Sequence, residues 1–272
     1  MSAEAFTQPR EFLDESESLY ALLAPRPESD LGLVTQFKGW SIEDVIAHLH
    51  LFNLAAGLSV RSAGELRGFF ADLRRSSESG RSLREATFER LAPLRGRALL
   101  EQWHSDCREV AREFERVDPR SRVAWGGPDM SARSSISARL METWAHGQAV
   151  FDRIGVVRVD ADRIRNVAVL GVNTFAWTFR NRGLEVPGPA PRVVLEAPSG
   201  ARWEWNHEND SDLVEGRATE FCQVVAQTRA FEDTSLRVVG DVARRWVSIA
   251  QCFAGPPEDP PGLGTRGLAR VD

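Results

Sequence analysis

At 272 residues, with 42% apolar and 27% charged side chains, the chain is long enough for one large domain or two modest ones and is not of disordered composition. The net charge of −5 excludes a broad basic surface for nucleic acid. Lys38 is the only lysine, and no stretch concentrates arginines without acids nearby.

The acidic stretch "MSAEAFTQPREFLDESESLY" lacks the basic-then-apolar order of a signal peptide, and no apolar run approaches the ~20 residues that span a bilayer. The expected setting is the reducing cytoplasm. Residues from about 10 to 24 form an amphipathic helix closed by "PRP". A second helix opens at "WSIEDVIAHLHLFNLAAGLSV". Ser41 with Asp44 three residues on predicts a capping box there, and Glu43 sits where the helix dipole favours an anion. A third helix is expected from about 83 to 116, kinked or broken by Pro93 and Gly96. "DPRSRVAWGGPDMS" is a loop, and a fourth helix follows from about 131 to 153. This spacing suggests a four-helix bundle.

Beyond it, "DADRIRNVAVLGVNTFAWTFRNRGL" predicts a fifth helix, and "RVVLEAPSGARWEWN" a β-hairpin around a Pro-Ser-Gly turn. "TEFCQVVAQTRAF" is helical in spacing, "TSLRVVGD" suits a strand, and "VARRWVSIAQCF" suits a last helix before a Pro/Gly-rich tail expected to be mobile. The expected fold is mainly α: a helical bundle over residues 1–157, then a smaller α+β domain over 158–272. Cys107, Cys222 and Cys252 form no CxxC pair, so neither a cysteine zinc site nor a disulfide framework is indicated. Cys222 is expected to be a small core residue rather than a nucleophile.

"METWAHG", residues 141–147, places Glu142 and His146 four residues apart, on one face of the fourth helix. Catalytic divalent ions commonly take three protein ligands, and bundles supply them from facing helices. The second helix offers His48 and His50, about 200° apart, so they do not serve one ion together. Periodicity does not choose between them. His48 has Val45 and Phe52 beside it, and His50 has Ile46 and Leu54. Ala138, Ala145 and Ala149 leave room around the Glu142/His146 face. A solvated helix edge has the same spacing, so the residues alone leave both readings open.

"GWSIEDVIAHL", followed about ninety residues later by "ARLMETWAHGQ", resembles the metal-binding bundle of the DinB-like superfamily. More narrowly it is similar to the mycothiol-dependent maleylpyruvate isomerase branch. "GPDMSARS", "RIRNVAVLGVNTFAW", "APSGARWEW", "EFCQVVAQTR" and "IAQCFAGPP" extend the likeness over nearly the whole chain, toward a poorly characterised group of metal-binding proteins. The resemblance implies a DinB-like bundle and a divalent ion on His48, Glu142 and His146. Zinc is the first expectation, with nickel and iron as alternatives. It also implies a low-molecular-weight thiol as co-reactant.

Three positions depart from the family pattern. Ala149 and Asn53 stand where aspartates are common, and His50 where a small residue is usual. His50 is therefore a candidate acid/base, and Asn53 and Ala149 are candidates for the substrate pocket. Trp125 could close that pocket, and Arg229 could reach a substrate carboxylate. His104 and His207 receive no role. The expected activity is that of an isomerase, thiol transferase or lyase acting on a small conjugated carbonyl compound. The alternatives are a metal-independent isomerase or cyclase of specialised metabolism and a non-catalytic small-molecule or metal binder. The expected partner is a small-molecule substrate, with no nucleic acid and no membrane; a homodimer stays open.

Overall fold

Pro9 in the first turn, followed by Glu11, opens helix α1 (Gln8–Leu23), which buries Phe12, Leu19 and Leu23. The computed structural model describes residues 5–127 and 129–269. It divides into two compact units, the first ending at Val150. This division falls inside a helix, whereas the boundary expected near residue 157 lies in the irregular stretch 156–161 that follows it.

The predicted capping box starts α2 (Ile42–Arg61). The Ser41 hydroxyl accepts the Asp44 N–H at 3.1 Å, and the Asp44 carboxylate accepts the Ser41 N–H at 2.8 Å. Arg84 adds a 2.5 Å contact to the other Asp44 oxygen, so this nearly buried carboxylate is satisfied on both sides. Ser62 ends α2 in an extended conformation and caps α3 (Ala63–Glu78). Sequence patterning did not predict α3. Its buried face is only Leu66 and Phe69, too narrow to stand out from the surrounding charges.

The helix expected over 83–116 is two helices, α4 (Leu83–Arg90) and α5 (Gly96–Glu115), separated at Pro93. Gly96 takes φ +54°, and its N–H donates to Glu43 at 2.6 Å. A Cβ at Gly96 would fall 1.9 Å from a Glu28 oxygen and would sit on a positive φ that strains other residues, so the junction favours glycine. A short antiparallel ribbon, β1 (Arg122–Val123) with β2 (Met130–Ser131), leads into α6 (Ala132–Ile154). Helix α5 packs against both α1 and α2. Trp103, Phe114, Leu140 and Trp144 are fully buried in this unit. His104 stacks on Tyr20 at 3.5 Å and meets Glu17 at 2.9 Å, which pins α5 to α1.

In the second unit, the expected fifth helix is split into α7 (Arg165–Asn173) and α8 (Phe175–Asn181). The Thr174 hydroxyl between them turns back on the Leu170 and Gly171 carbonyls, at 2.8 and 3.1 Å. The predicted hairpin is β3 (Arg192–Glu196) with β4 (Arg202–Trp205). Strand β5 (Leu213–Arg217) pairs parallel to β3, α9 (Ala218–Val225) follows it, and β6 (Arg237–Val239) completes the sheet order β4-β3-β5-β6. Helix α10 (Asp241–Val247) is the last. Cys222 is fully buried and burial raises its thiol pKa well above the usual value, which suits a core residue.

The Pro/Gly-rich tail is tethered, contrary to the mobility expected from its composition. Gln227 donates to the Ala250 and Glu258 carbonyls, and Gln251 both donates to Pro256 and accepts from the Glu258 N–H. Two buried amide side chains thus replace the regular hydrogen bonding that prolines deny the segment. Among the described residues no helix is long and apolar enough to cross a membrane.

The two capping boxes differ in burial, and this sets an expectation for stability. Asp44→Ala should cost about 1–3 kcal/mol, because it removes a cap and leaves the half-buried Ser41 N–H without its acceptor. Glu85→Ala, at the equivalent position of the exposed box on α4, should cost less. Urea denaturation of the two variants checks this, and equal losses would contradict it.

Candidate metal centre

Helices α2 and α6 bring the candidate ligands together. His48 Nε2 lies 3.6 Å and His146 Nε2 3.1 Å from the same oxygen, Glu142 Oε2. One ligand atom from each residue can be chosen so that all lie within 4.8 Å of one another. The i,i+4 spacing of Glu142 and His146 puts both on the α6 face that meets His48. The three side chains are 12%, 26% and 13% exposed for His48, Glu142 and His146, so the cluster is shielded yet open on one side. Ala138, Ala145 and Ala149 line that side of α6 and are half-buried.

Aromatic rings hold the imidazoles. Trp40 packs on His48 at 5.3 Å and lies nearly parallel to His146 at 6.2 Å. Phe52 meets His48 at 4.8 Å, and Phe37 meets His146 at 4.9 Å. The His48 Nδ1 atom is buried without a hydrogen-bond partner. Metal-bound histidines usually orient through such a bond; here ring packing takes that role.

The protonation states suit a divalent ion. Burial pushes the His48 pKa down to about 4, against the pull of Glu142. Burial would raise the Glu142 pKa, but hydrogen bonds from His146 and His48 outweigh it and hold the carboxyl well below its usual range. A carboxylate and a neutral His48 imidazole therefore face one point at neutral pH, which is the form metal ligation needs. A two-histidine, one-glutamate set matches known catalytic zinc sites. These residues fit a divalent ion.

The other candidate residues lie elsewhere. His50 is buried on the opposite side of α2, with Nδ1 3.4 Å from Asp106 on α5. Burial lowers its pKa and Asp106 raises it. Asn53 is fully buried: its amide oxygen accepts from Arg139 Nε at 3.1 Å and Nη2 at 3.0 Å, and its amide nitrogen donates to Cys107 Sγ at 3.2 Å. Trp125 packs on Phe70 at 5.5 Å and Phe52 at 6.5 Å, beside the cluster of Leu51, Ala55, Leu66 and Phe69. Arg229, in the second unit, makes a bidentate pair with Asp152 at 2.7 and 2.6 Å. Sequence reasoning missed Arg139 and Phe37. Arg139 had a legible signal, as a charge one turn from both Ile136 and Thr143 on the buried face of α6. Phe37 sits in a loop, where periodicity says nothing.

Residues 12–151 match the family described as the mycothiol maleylpyruvate isomerase N-terminal domain. Two uncharacterized proteins of Mycobacterium tuberculosis, from strains CDC 1551 / Oshkosh and ATCC 25618 / H37Rv, are each 36% identical over 243 residues, covering 89% of this chain and 93% of theirs. The crystal structure of the mycothiol-dependent maleylpyruvate isomerase is similar in fold, with a TM-score of 0.51 at 15% identity over 83% of this chain and 92% of that one. A histidine-to-alanine mutant of that isomerase matches with the same TM-score at 14% identity.

The depressed His48 pKa sets a pH dependence. In the metal-free protein the unfolded chain binds a proton near pH 6.5 that the native ring refuses until about 4, so stability falls as pH drops through that window. From pH 7 to 5, wild type in chelator should lose about 2 kcal/mol more than His48→Asn. Urea melts at the two pH values check this; parallel losses would contradict it.

Proposed function

The chain belongs to the family of the mycothiol maleylpyruvate isomerase N-terminal domain, and from that membership we propose that it is a divalent-metal-dependent enzyme. Its proposed reaction is of isomerase, thiol-transferase or lyase type, on a small conjugated carbonyl compound. The observation that carries this reading is the convergence of the His48 and His146 Nε2 atoms on one Glu142 oxygen.

A divalent ion held by His48, Glu142 and His146 would supply Lewis acidity, polarising a carbonyl oxygen or lowering the pKa of a thiol. Zinc is the metal we propose from the donor set, and nickel and iron share its affinity for imidazole. A low-molecular-weight thiol as co-reactant is supported by the family and by the isomerase of similar fold.

The chain's own residues have defined parts. Neutral His48 offers a lone pair rather than a proton, and ionised Glu142 adds the one negative charge of the ligand set. Phe37, Trp40 and Phe52 exclude water from the back of the imidazoles and give a conjugated substrate flat apolar surfaces. Ala145 and Ala149 leave the open side clear for it. Trp125 supports Phe52 from behind. His50 faces Asp106, so we assign it no proton transfer at the ligand cluster. The buried free thiols of Cys107, Cys222 and Cys252 suit the reducing cytoplasm that we propose as the setting.

Elemental mass spectrometry on untagged protein tests the reading. It should find near-stoichiometric divalent metal that Glu142→Ala and His48→Ala lose. With metal bound, cis-to-trans conversion of a conjugated keto acid or thiol addition to it should require an added low-molecular-weight thiol. It should fall at least 100-fold in Glu142→Ala, the scale on which ligand-shell changes act. Wild-type protein that takes up no zinc, nickel or ferrous iron would overturn the proposal.

A further inference from the structure

Arg139 lies on α6 one turn before Glu142, and only 3% of it is exposed. Its guanidinium donates to two neutral acceptors on α2. Nε and Nη2 fork onto Asn53 Oδ1 at 3.1 and 3.0 Å, and Nη2 also reaches the Leu49 carbonyl at 3.1 Å. Leu49 follows His48 directly, so this brace ties the α2 turn that carries one candidate ligand to the α6 turn that carries another. Asn53 turns its amide oxygen to Arg139 because its nitrogen is committed to Cys107 on α5.

Buried cations are normally matched by a carboxylate. Here the hydrogen-bonding partners are an amide and a peptide carbonyl, and the carboxylate whose field reaches Arg139 is Glu142. With a divalent ion in place, the charges add to a marked excess: the ion and Arg139 are positive, Glu142 is negative, and neutral imidazoles add nothing. An incoming ligand that carries a negative charge relieves that excess; a neutral one does not.

We propose that Arg139 is a positioning residue whose buried charge, left uncompensated by Asn53, makes the centre prefer anionic exogenous ligands over neutral ones. This rests on the metal-site reading above. It assigns Asn53 a purpose that a bare packing role lacks, since an aspartate of the same shape would pair with Arg139 and cancel the field.

The test uses the cobalt(II)-loaded full-length protein, with thiocyanate as an anionic probe and imidazole as a neutral one, both followed by visible absorption. Asn53→Asp adds one charge and keeps the shape. It should weaken thiocyanate binding about tenfold, the effect of one unit charge across a protein interior, and leave imidazole binding unchanged. Arg139→Lys should keep wild-type thiocyanate affinity, and Arg139→Met should lose about tenfold. This second pair decides the matter if Asn53→Asp does not fold. Unchanged thiocyanate affinity in the charge-altered variants, or equal loss for both probes, would overturn the inference while the metal reading stands. Wild-type protein that binds no cobalt would overturn both.

Discussion

One carboxylate oxygen organises the first unit. Glu142 Oε2 is the point at which two helices present imidazole nitrogens, and their hydrogen bonds hold its carboxyl well below the usual range despite its burial. The capping box at Ser41 fixes where α2 begins and therefore which of its turns carries His48. The Gly96–Glu43 contact seats α5 beneath α2, and the Arg139 fork locks α2 to α6 at the level of the candidate ligands. The cap and the Arg139 fork each satisfy a buried polar group that would otherwise cost about 1–3 kcal/mol. Structural economy and the geometry of the centre therefore coincide.

Short-range chemistry was legible in the chain, and long-range partners were not. The Ser41/Asp44 cap, the break at Pro93 and Gly96, and the Pro-Ser-Gly hairpin all follow from neighbours a few residues apart. The common face of Glu142 and His146 does too. The choice of His48 over His50 is different. Both lie on a helix buried on most sides, so periodicity saw two equivalent apolar settings. What separates them is Asp106 for one and Glu142 for the other, 56 and 94 positions away by subtraction of their numbers. Helix α3 and the tethered tail were missed for a related reason. The first has too small an apolar face to be seen, and the second is held by Gln227 and Gln251 rather than by its own backbone.

The positions that the sequence analysis marks as departures from the family pattern fall into distinct surroundings. His50 meets an acid on α5 and Asn53 meets a buried guanidinium, so both belong to the polar interior of the bundle. Ala149 lies on the half-buried face of α6, beside the candidate ligands. These positions thus fall into two groups: two lie in the polar interior of the bundle, and one beside the candidate ligands. Similar fold at 15% identity is compatible with such redistribution, because a bundle needs only apolar volume and register to persist.

The pair between Asp152 and Arg229 bears on how the molecule comes into being. Asp152 is nearly buried, and its guanidinium partner is 77 residues further along the chain. The Asp152 carbonyl also accepts the Ala269 N–H at 2.7 Å. During synthesis on the ribosome, the last turn of α6 therefore emerges long before the arginine that pairs with Asp152. The helices that carry the candidate ligands are complete well before Arg229 is made. Nascent chains should thus pass through a stage in which the bundle is assembled while the Asp152–Arg229 pair is still unmade, and closure of the second unit waits for its distant arginine.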